Sequence, residues 1–283
     1  MTANTQAKPG ERLRALKGHA QDLRRAIVSM VHTAQSGHCG GSLSAADIVS
    51  ALYFDIMNID PSQPRMPGRD RFVLSKGHAC PVLYGALALR GYFPVDELST
   101  LRKNDSRLQG HPVSTYLPGV DATAGSLGLG FAQAVGMALE GRMLKAPYFV
   151  YALLGDGELN EGVVWEAAST ASKFGLERLI AIVDRNNLQN DGKADDIMPM
   201  EPIDKKFEAF NWRVLAVDGH DMAAVLAALE EARKPAGKPT CIIARTIKGK
   251  GVSFMEDKRE WHGKPPSDDE YGIACKDIEG GCV

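Results

Sequence analysis

The sequence predicts an α/β protein, a parallel sheet with helices on both faces. Two observations predict it. Strand-like runs alternate with helical runs, from RFVLS at Arg71–Ser75 to TCIIART at Thr240–Thr246. The runs are near-continuously apolar, as in YFVYALLG from Tyr148, which is the pattern of strands buried on both faces.

The elements follow in order. Residues 1–10 read as a disordered tip. Leu13, Leu16, Ala20, Leu23, Ile27, Val31 and Ala34 recur at steps of three and four, which predicts an amphipathic helix ending at Ser36-Gly37. Ser44, with Asp47 three residues on, predicts the start of a second helix in the manner of a capping box, with Ile48, Ala51 and Leu52 turned inward. Residues 58–70, rich in proline, read as a loop. RFVLS is a short strand broken by Lys76-Gly77-His78, and Pro81 fits the first turn of the next helix. Residues 91–124 read as irregular, and a helix follows from about Gly128 to Arg142. A βαβ unit comes next: one strand runs into Gly155-Asp156-Gly157, and a second into Asp184-Arg185-Asn186-Asn187. Residues 191–211 read as a loop with short helical turns. Arg213–Val217 is a strand, Asp221 caps a helix to about Arg233, and Thr240–Thr246 is the last strand. The polar tail 264–283 is assigned no structure, which leaves 11–263 as one domain.

Bulk properties exclude several function classes. The 283 residues carry a formal net charge of −2 and an isoelectric point near 6.4. That balance excludes broad nucleic-acid or anionic-membrane binding. The five cysteines are scattered without a CxxC pair, which argues against a disulfide framework or zinc site and favours a reducing cytoplasm. No apolar run approaches the ~20 residues of a membrane span, and the N-terminus lacks a signal-peptide core.

The chemistry concentrates in the βαβ unit. One parallel unit brings Asp156 and Asn186, each just past a strand end, to the same sheet edge, where ligands of open α/β sheets bind. Gly155 and Gly157 let the backbone approach an anion, and the following helix N-terminus favours one. A carboxylate aimed into an anion site implies a bridging cation. Asp156, the amide oxygen of Asn186 and the carbonyl of Leu188 form the hard oxygen set that magnesium takes, or another divalent cation such as calcium or manganese. Of seven histidines, six touch a glycine. His19 and His32 on the first helix, and His220 beside Asp221, read as structural. His38, His78, His111 and His262 lie in loops or strand-to-helix turns and read together as ligand-facing donors or proton shuttles. Gly125-Ser126-Leu127-Gly128-Leu129-Gly130 before a helix reads as a ligand-facing turn. Lys248-Gly249-Lys250-Gly251 lacks the hydroxyl that a phosphate loop needs after its lysine and reads as a flexible, solvated basic turn. Glu161 reads as a first-turn carboxylate favoured by its helix dipole.

The combination SGHCGGSLS, VLSKGHA, LQGHP, DATAGSLGLGFAQAVGMA, GDGELNEG, VDRNNLQNDG and IKGKGVSFMEDKREWHG resembles the N-terminal region of transketolase over about residues 12–263. The resemblance implies a thiamine-diphosphate-binding fold and a magnesium–diphosphate site within that single domain. It implies Asp156, Asn186 and Leu188 at the metal, His78, Gly155, Gly157 and His262 at the diphosphate, and Gly125 and Leu127 beside the aminopyrimidine. It places His38, His111 and His262 at the sugar as catalytic groups and Glu161 at the cofactor-bearing interface. The activity implied is transfer of a two-carbon ketol unit between a ketose, as a sugar phosphate, and an aldose in the cytoplasm. The chain stops before the pyrimidine-binding domain and its activating glutamate, so the resemblance implies a C-terminal transketolase-like partner subunit, in an α2β2 heterotetramer. A 2-oxo-acid dehydrogenase α-type subunit and a non-catalytic cofactor-binding scaffold are the competing readings. Cys39 stands where the family commonly has proline, which removes a φ constraint beside His38 and puts a thiol near the substrate channel.

Overall fold

The computed structural model describes residues 9–281. Five strands form one sheet: β1 (Arg71–Leu74), β2 (Val150–Gly155), β3 (Leu179–Arg185), β4 (Arg213–Asp218) and β5 (Thr240–Arg245). All neighbours pair in parallel, in the order β1-β2-β3-β5-β4. Side chains alternate between two apolar layers. Tyr151, Leu153, Ile180, Ile182 and Ile242 enter one, and Val150, Ala152, Leu154, Ala181, Val183 and Ile243 enter the other. Burial on both faces is why these strands read as unbroken apolar runs.

The first layer is closed by α1 (Pro9–Ala34), the short α2 (Gly40–Leu43), α3 (Ala46–Ala51) and α4 (Cys80–Arg90). The second is closed by α5 (Leu129–Met143), α6 (Gly162–Lys173) and, past the short α7 (Ala194–Ile197), by α8 (Ile203–Ala209). α9 (Met222–Ala232) and α10 (Asp268–Glu279) return to the first layer. Asp221 caps α9 as expected, accepting from the N–H groups of Ala223 and Ala224. Strand β1 to strand β5 all point their carboxyl ends at the same edge, and that edge carries the site.

Several expectations are corrected. Residues 1–8 of the expected tip lie outside the described residues, and Pro9 and Gly10 already belong to α1. Ser44 does not open a helix. It is the C-terminal cap of α2, and its hydroxyl is taken by Asp184, while Asp47 turns inward to Arg24 and His220. Long-range partners for both residues outcompete a local cap. Residues 91–124 are irregular apart from a 3-10 stretch at Val95–Thr100. The tail is structured. Ser267 and Glu270 form a full capping box at the head of α10, which lays Ala274 and Ile278 against the first apolar layer. Its apolar spacing is thin, so the capping residues were the readable signal.

Ser267→Ala removes the hydroxyl that accepts from the Glu270 N–H. It is expected to cost about 1 kcal/mol of stability, read as a lower midpoint in urea denaturation.

Candidate active site

A cavity of about 290 Å3 opens at the carboxyl ends of β1, β2, β3 and β5. His38, His78 and His262 line it together with Gly125, Leu127, Gly155, Asp156, Gly157, Asn186 and Leu188. Two larger clefts, of about 630 and 660 Å3, lie at the amino end of β2 and between α1 and α10. Neither gathers strand-end residues or a buried charge cluster, so the smaller cavity is where the chemistry sits.

The two strand ends meet as the βαβ spacing requires. Gly155 stands opposite Asp184 in register. Asp156 then turns out of β2, and its oxygens accept from the Gly157 N–H at 2.8 Å, the Asn187 N–H at 2.5 Å and the Arg185 guanidinium at 3.2 Å. Asn187 sits in the left-handed region, φ 58°, which turns the chain back over Asp156. Burial and the nearby Asp184 charge push the Asp156 carboxyl above its usual range despite those donors. A carboxylate held in this way would be relieved by a divalent cation. The Asn186 amide oxygen and the Leu188 carbonyl line the same cavity. Among the described residues no group of three or more His, Cys, Asp or Glu could hold a metal ion, so a cation here would rest on one carboxylate with neutral oxygens, a set that suits magnesium.

The cavity also fits an anion. Lys76 and Lys248, 1% and 2% exposed, bring their ammonium groups to its wall. Lys248 donates to the Leu188 carbonyl at 2.8 Å and contacts His262 Nδ1 at 2.7 Å. This corrects the reading of 248–251 as a solvated turn. Burial and the Lys76 charge push the Lys248 ammonium down to about 8. The Gln189 amide leans onto Gly157, where an added Cβ would meet its Cγ at 2.9 Å. Gln189 Nε2 is enclosed and has no hydrogen-bond partner among the described residues, an amide donor that a ligand oxygen could take up.

Three histidines converge. The ring centroids of His38, His78 and His262 lie 5.1–5.3 Å apart. Burial first, then neighbouring cations, push His38 down to about 4 and His262 to about 3, and hold His78 well below the usual range. All three are therefore neutral near pH 7, able to accept a proton or donate one N–H. His111 stands at the rim, its ring about 3.5 Å from where a Cβ on Gly125 would project. Glu161 lies outside the cavity, exposed at the start of α6.

Cys39 does not put a thiol in the channel. Its side chain is fully buried in the first apolar layer, and burial pushes the thiol up to about 12. Its φ of −70° is the value a proline would hold, so the backbone beside His38 keeps that shape without one.

Sequence reasoning missed the charged scaffold. Asp184, fully buried, accepts from Lys76 Nζ, from the hydroxyls of Ser44 and Thr246, and from Asn186 Nδ2 at 3.1 Å. Burial works against its charge, and the Lys76 ammonium with these bonds outweighs that, holding the carboxyl below its usual range. Glu158 accepts from the Ser75 hydroxyl, the Gly128 N–H at 2.7 Å and the Gly155 N–H at 3.0 Å. It so ties the head of α5 to β1 and β2. Gly128 must be glycine, since it has φ +80° and an added Cβ would meet Val163 Cγ1 at 2.4 Å. That accounts for the glycine-rich turn.

Comparison with known proteins shows the family. Residues 17–278 match the family model "Transketolase, thiamine diphosphate binding domain". The chain is 44% identical to the 6-deoxy-6-sulfo-D-fructose transketolase subunit SqwG of Clostridium sp. (strain MSTE9), over 93% of this chain and 96% of the relative. It is 42% identical to an apulose-4-phosphate transketolase subunit of Actinobacillus succinogenes, over 93% and 96%. Against the human transketolase the identity is 45%, over 90% of this chain but 40% of that protein. A solved transketolase mutant from Pichia stipitis superposes with a TM-score of 0.89 at 33% identity, over 93% of this chain and 40% of that one. The chain belongs to the transketolase family and has its thiamine-diphosphate-binding fold.

Two outcomes follow from the site's electrostatics. Lys76→Met leaves Asp184 buried without its counter-charge and is expected to destabilise the chain by roughly 3–5 kcal/mol in denaturant titration. His38 is neutral in the folded chain down to about pH 4, while unfolded histidine titrates near ~6.5. Between those values the unfolded state binds the extra proton, so stability falls as pH falls through that window. In His38→Asn this part of the slope is expected to flatten, measured as urea midpoints at pH 7 and 4.5.

Proposed function

We propose that this chain is the metal- and diphosphate-binding subunit of a two-chain transketolase. It acts in transfer of a two-carbon ketol unit from a ketose phosphate to an aldose acceptor. The observation that carries the reading is the convergence of neutral His38, His78 and His262 on one cavity with Asp156, Asn186 and the buried lysines. A histidine-lined wall suits a polyhydroxylated sugar, which sets this reading above a 2-oxo-acid dehydrogenase subunit.

Asp156, the Asn186 oxygen and the Leu188 carbonyl would hold magnesium or a similar divalent cation. His78, His262, Lys248 and the Gly155–Gly157 backbone would bind the diphosphate, with Gly125 and Leu127 alongside the rest of the cofactor. When bound, thiamine diphosphate supplies a thiazolium that stabilises carbanion character at the transferred carbon. The chain's own part is to bind, orient and move protons. His38, kept neutral by burial, would accept a proton from a sugar hydroxyl, while His262, whose Nδ1 faces the Lys248 ammonium, would donate its Nε2–H to the sugar and His111 at the rim would donate to another hydroxyl. Glu161 would face the assembly interface.

The two relatives that this chain covers nearly end to end are named as transketolase subunits. That supports a separate partner carrying the pyrimidine-binding domain and its activating glutamate, in an α2β2 assembly. The lack of a helix long and apolar enough to cross a membrane among the described residues is compatible with cytoplasmic work.

The test is to measure ketol transfer and thiamine diphosphate binding with magnesium, for the chain alone and with its partner. Activity is expected only from the pair, and full turnover by the isolated chain would sink the two-chain reading. Asp156→Ala is expected to abolish magnesium-dependent cofactor binding. Unchanged affinity would remove it from the metal site.

A further inference from the structure

A second polar cluster, outside the cavity, grips the turn that delivers Lys248. Arg24 of α1 and Asp47 of α3 have side chains only 2% and 5% exposed. The guanidinium donates to both Asp47 oxygens, at 3.3 and 2.6 Å. Asp47 Oδ2 also lies 2.8 Å from His220 Nδ1, and the Ile247 N–H donates to His220 Nε2 at 2.8 Å. The two contacts fix the tautomer, with the proton on Nδ1 and the lone pair on Nε2. Arg24 Nε donates to the Lys250 carbonyl at 3.1 Å. The backbone is thus held on both sides of Lys248, at Ile247 by His220 and at Lys250 by Arg24.

The turn needs outside anchors. Gly249 and Gly251 both have positive φ, +80° and +91°, so its backbone has much freedom to lose on folding. Lysine is a flexible stem with a strongly hydrated head, yet Lys248 is 2% exposed. A buried lysine ends at a defined point only when its backbone is fixed. Arg24 packs close enough to Gly251 that a Cβ there would meet its Cδ at 2.9 Å. Burial opposes the Asp47 charge, and the His220 and Arg24 bonds outweigh it and hold the carboxylate ionised.

We propose that His220 is a positioning residue for the cofactor site. With Asp47 and Arg24 it clamps the Ile247–Gly251 turn, so that the Lys248 ammonium reaches the Leu188 carbonyl, His262 and the bound diphosphate. The inference rests on the function proposed above. It assigns the Asp218-Gly219-His220-Asp221 segment a role beyond capping α9.

The experiment uses the chain reconstituted with its partner. It reads the thiamine diphosphate Kd with magnesium by calorimetry, and hydrogen exchange in the segment Thr246–Met255. His220→Phe keeps a planar ring and removes both bonds. It is expected to weaken cofactor binding by about tenfold, the scale of lost supporting contacts around a metal site, and to speed exchange in the turn. His220→Gln keeps a donor and an acceptor and is expected to recover most of both. Unchanged cofactor affinity in His220→Phe, whether or not its melting temperature drops, overturns the proposal. So does equal loss in His220→Phe and His220→Gln. If His220→Phe does not fold, Arg24→Lys serves, since it keeps a charge near Asp47 but drops the fork's hold on Lys250. It is expected to weaken binding severalfold, and unchanged affinity overturns the clamp. Asp156→Ala separates the two claims. Lost binding there with unchanged binding in His220→Phe refutes the clamp alone, whereas unchanged binding in both refutes the site reading beneath it.

Discussion

The buried pair of Lys76 and Asp184 is the interaction on which the site depends. Asp184 ends β3 and Lys76 follows β1, so the pair spans β2 between them. Ser44 at the end of α2 and Thr246 after β5 donate to the same carboxylate. Lys76 also donates to the Gly41 carbonyl at 2.7 Å, and through it holds the segment that carries His38. One carboxylate therefore sets the relative positions of the elements that surround the cavity. Burying two charges is expensive, and the cost is recovered only when the remaining lone pairs and protons are satisfied. Here Asp184 accepts from four donors and the Lys76 ammonium has two acceptors, and the network specifies one arrangement of strand ends.

The same charges tune the histidines. A buried imidazole beside ammonium groups stays neutral because burial disfavours the charged form and protonation would add like charge at low dielectric. Lys76 and Lys248 both lower His78 and His262. A cavity with fixed cations and neutral imidazoles separates two tasks. On the proposed function the lysines would attract the anion, and the neutral histidines would exchange hydrogen bonds with hydroxyl groups. Asp156 works in the opposite direction, as a carboxylate that burial and Asp184 leave costly to ionise. A divalent cation bridging it to the anion would reconcile the two halves.

How much was legible in the sequence follows from the range of each interaction. Asp156, Asn186 and Leu188 were readable because a strand end is a local event and a βαβ unit has one sensible geometry. The cavity-lining histidines His38, His78 and His262 were readable because glycine beside histidine in a loop is also local. Asp184 and Glu158 were not. Each looks like an ordinary strand-end or first-turn acid until residues as distant as Lys76 or Gly128 are placed beside it. Lys248 was misread for the same reason, because its burial depends on Arg24 and His220, far away in sequence. The failure at Ser44 is the converse. A correct local capping rule lost to a buried carboxylate that offered a stronger partner. α10 shows that a capping signature can outlive a weak apolar pattern, since Ser267 and Glu270 stood in the sequence while the periodic residues were few.

The acids around the cavity bear on the proposed second chain. Among the described residues, Asp156, Glu158 and Asp191 line it. Glu158 already accepts from Ser75, Gly128 and Gly155, and breaking that set would release the head of α5. Asp156 is committed to Gly157, Asn187 and Arg185, and its position past β2 suits a cation. Asp191 sits on the Leu188–Lys193 hairpin, with its carboxylate against Asn190 Nδ2 at 3.2 Å. A carboxyl that activates a cofactor must be free to trade a proton with it. Glu158 cannot do so without unmaking the fold, and Asp156 cannot do so while it holds a metal. On the proposed function, neither of the two buried acids is free to start the cycle, which fits an activating acid supplied by the partner. On that reading the geometry of this chain is a preformed socket, in which the buried bonds fix the charges, the Asp156 carboxylate and the imidazoles before the partner adds its pyrimidine-binding domain and its carboxyl.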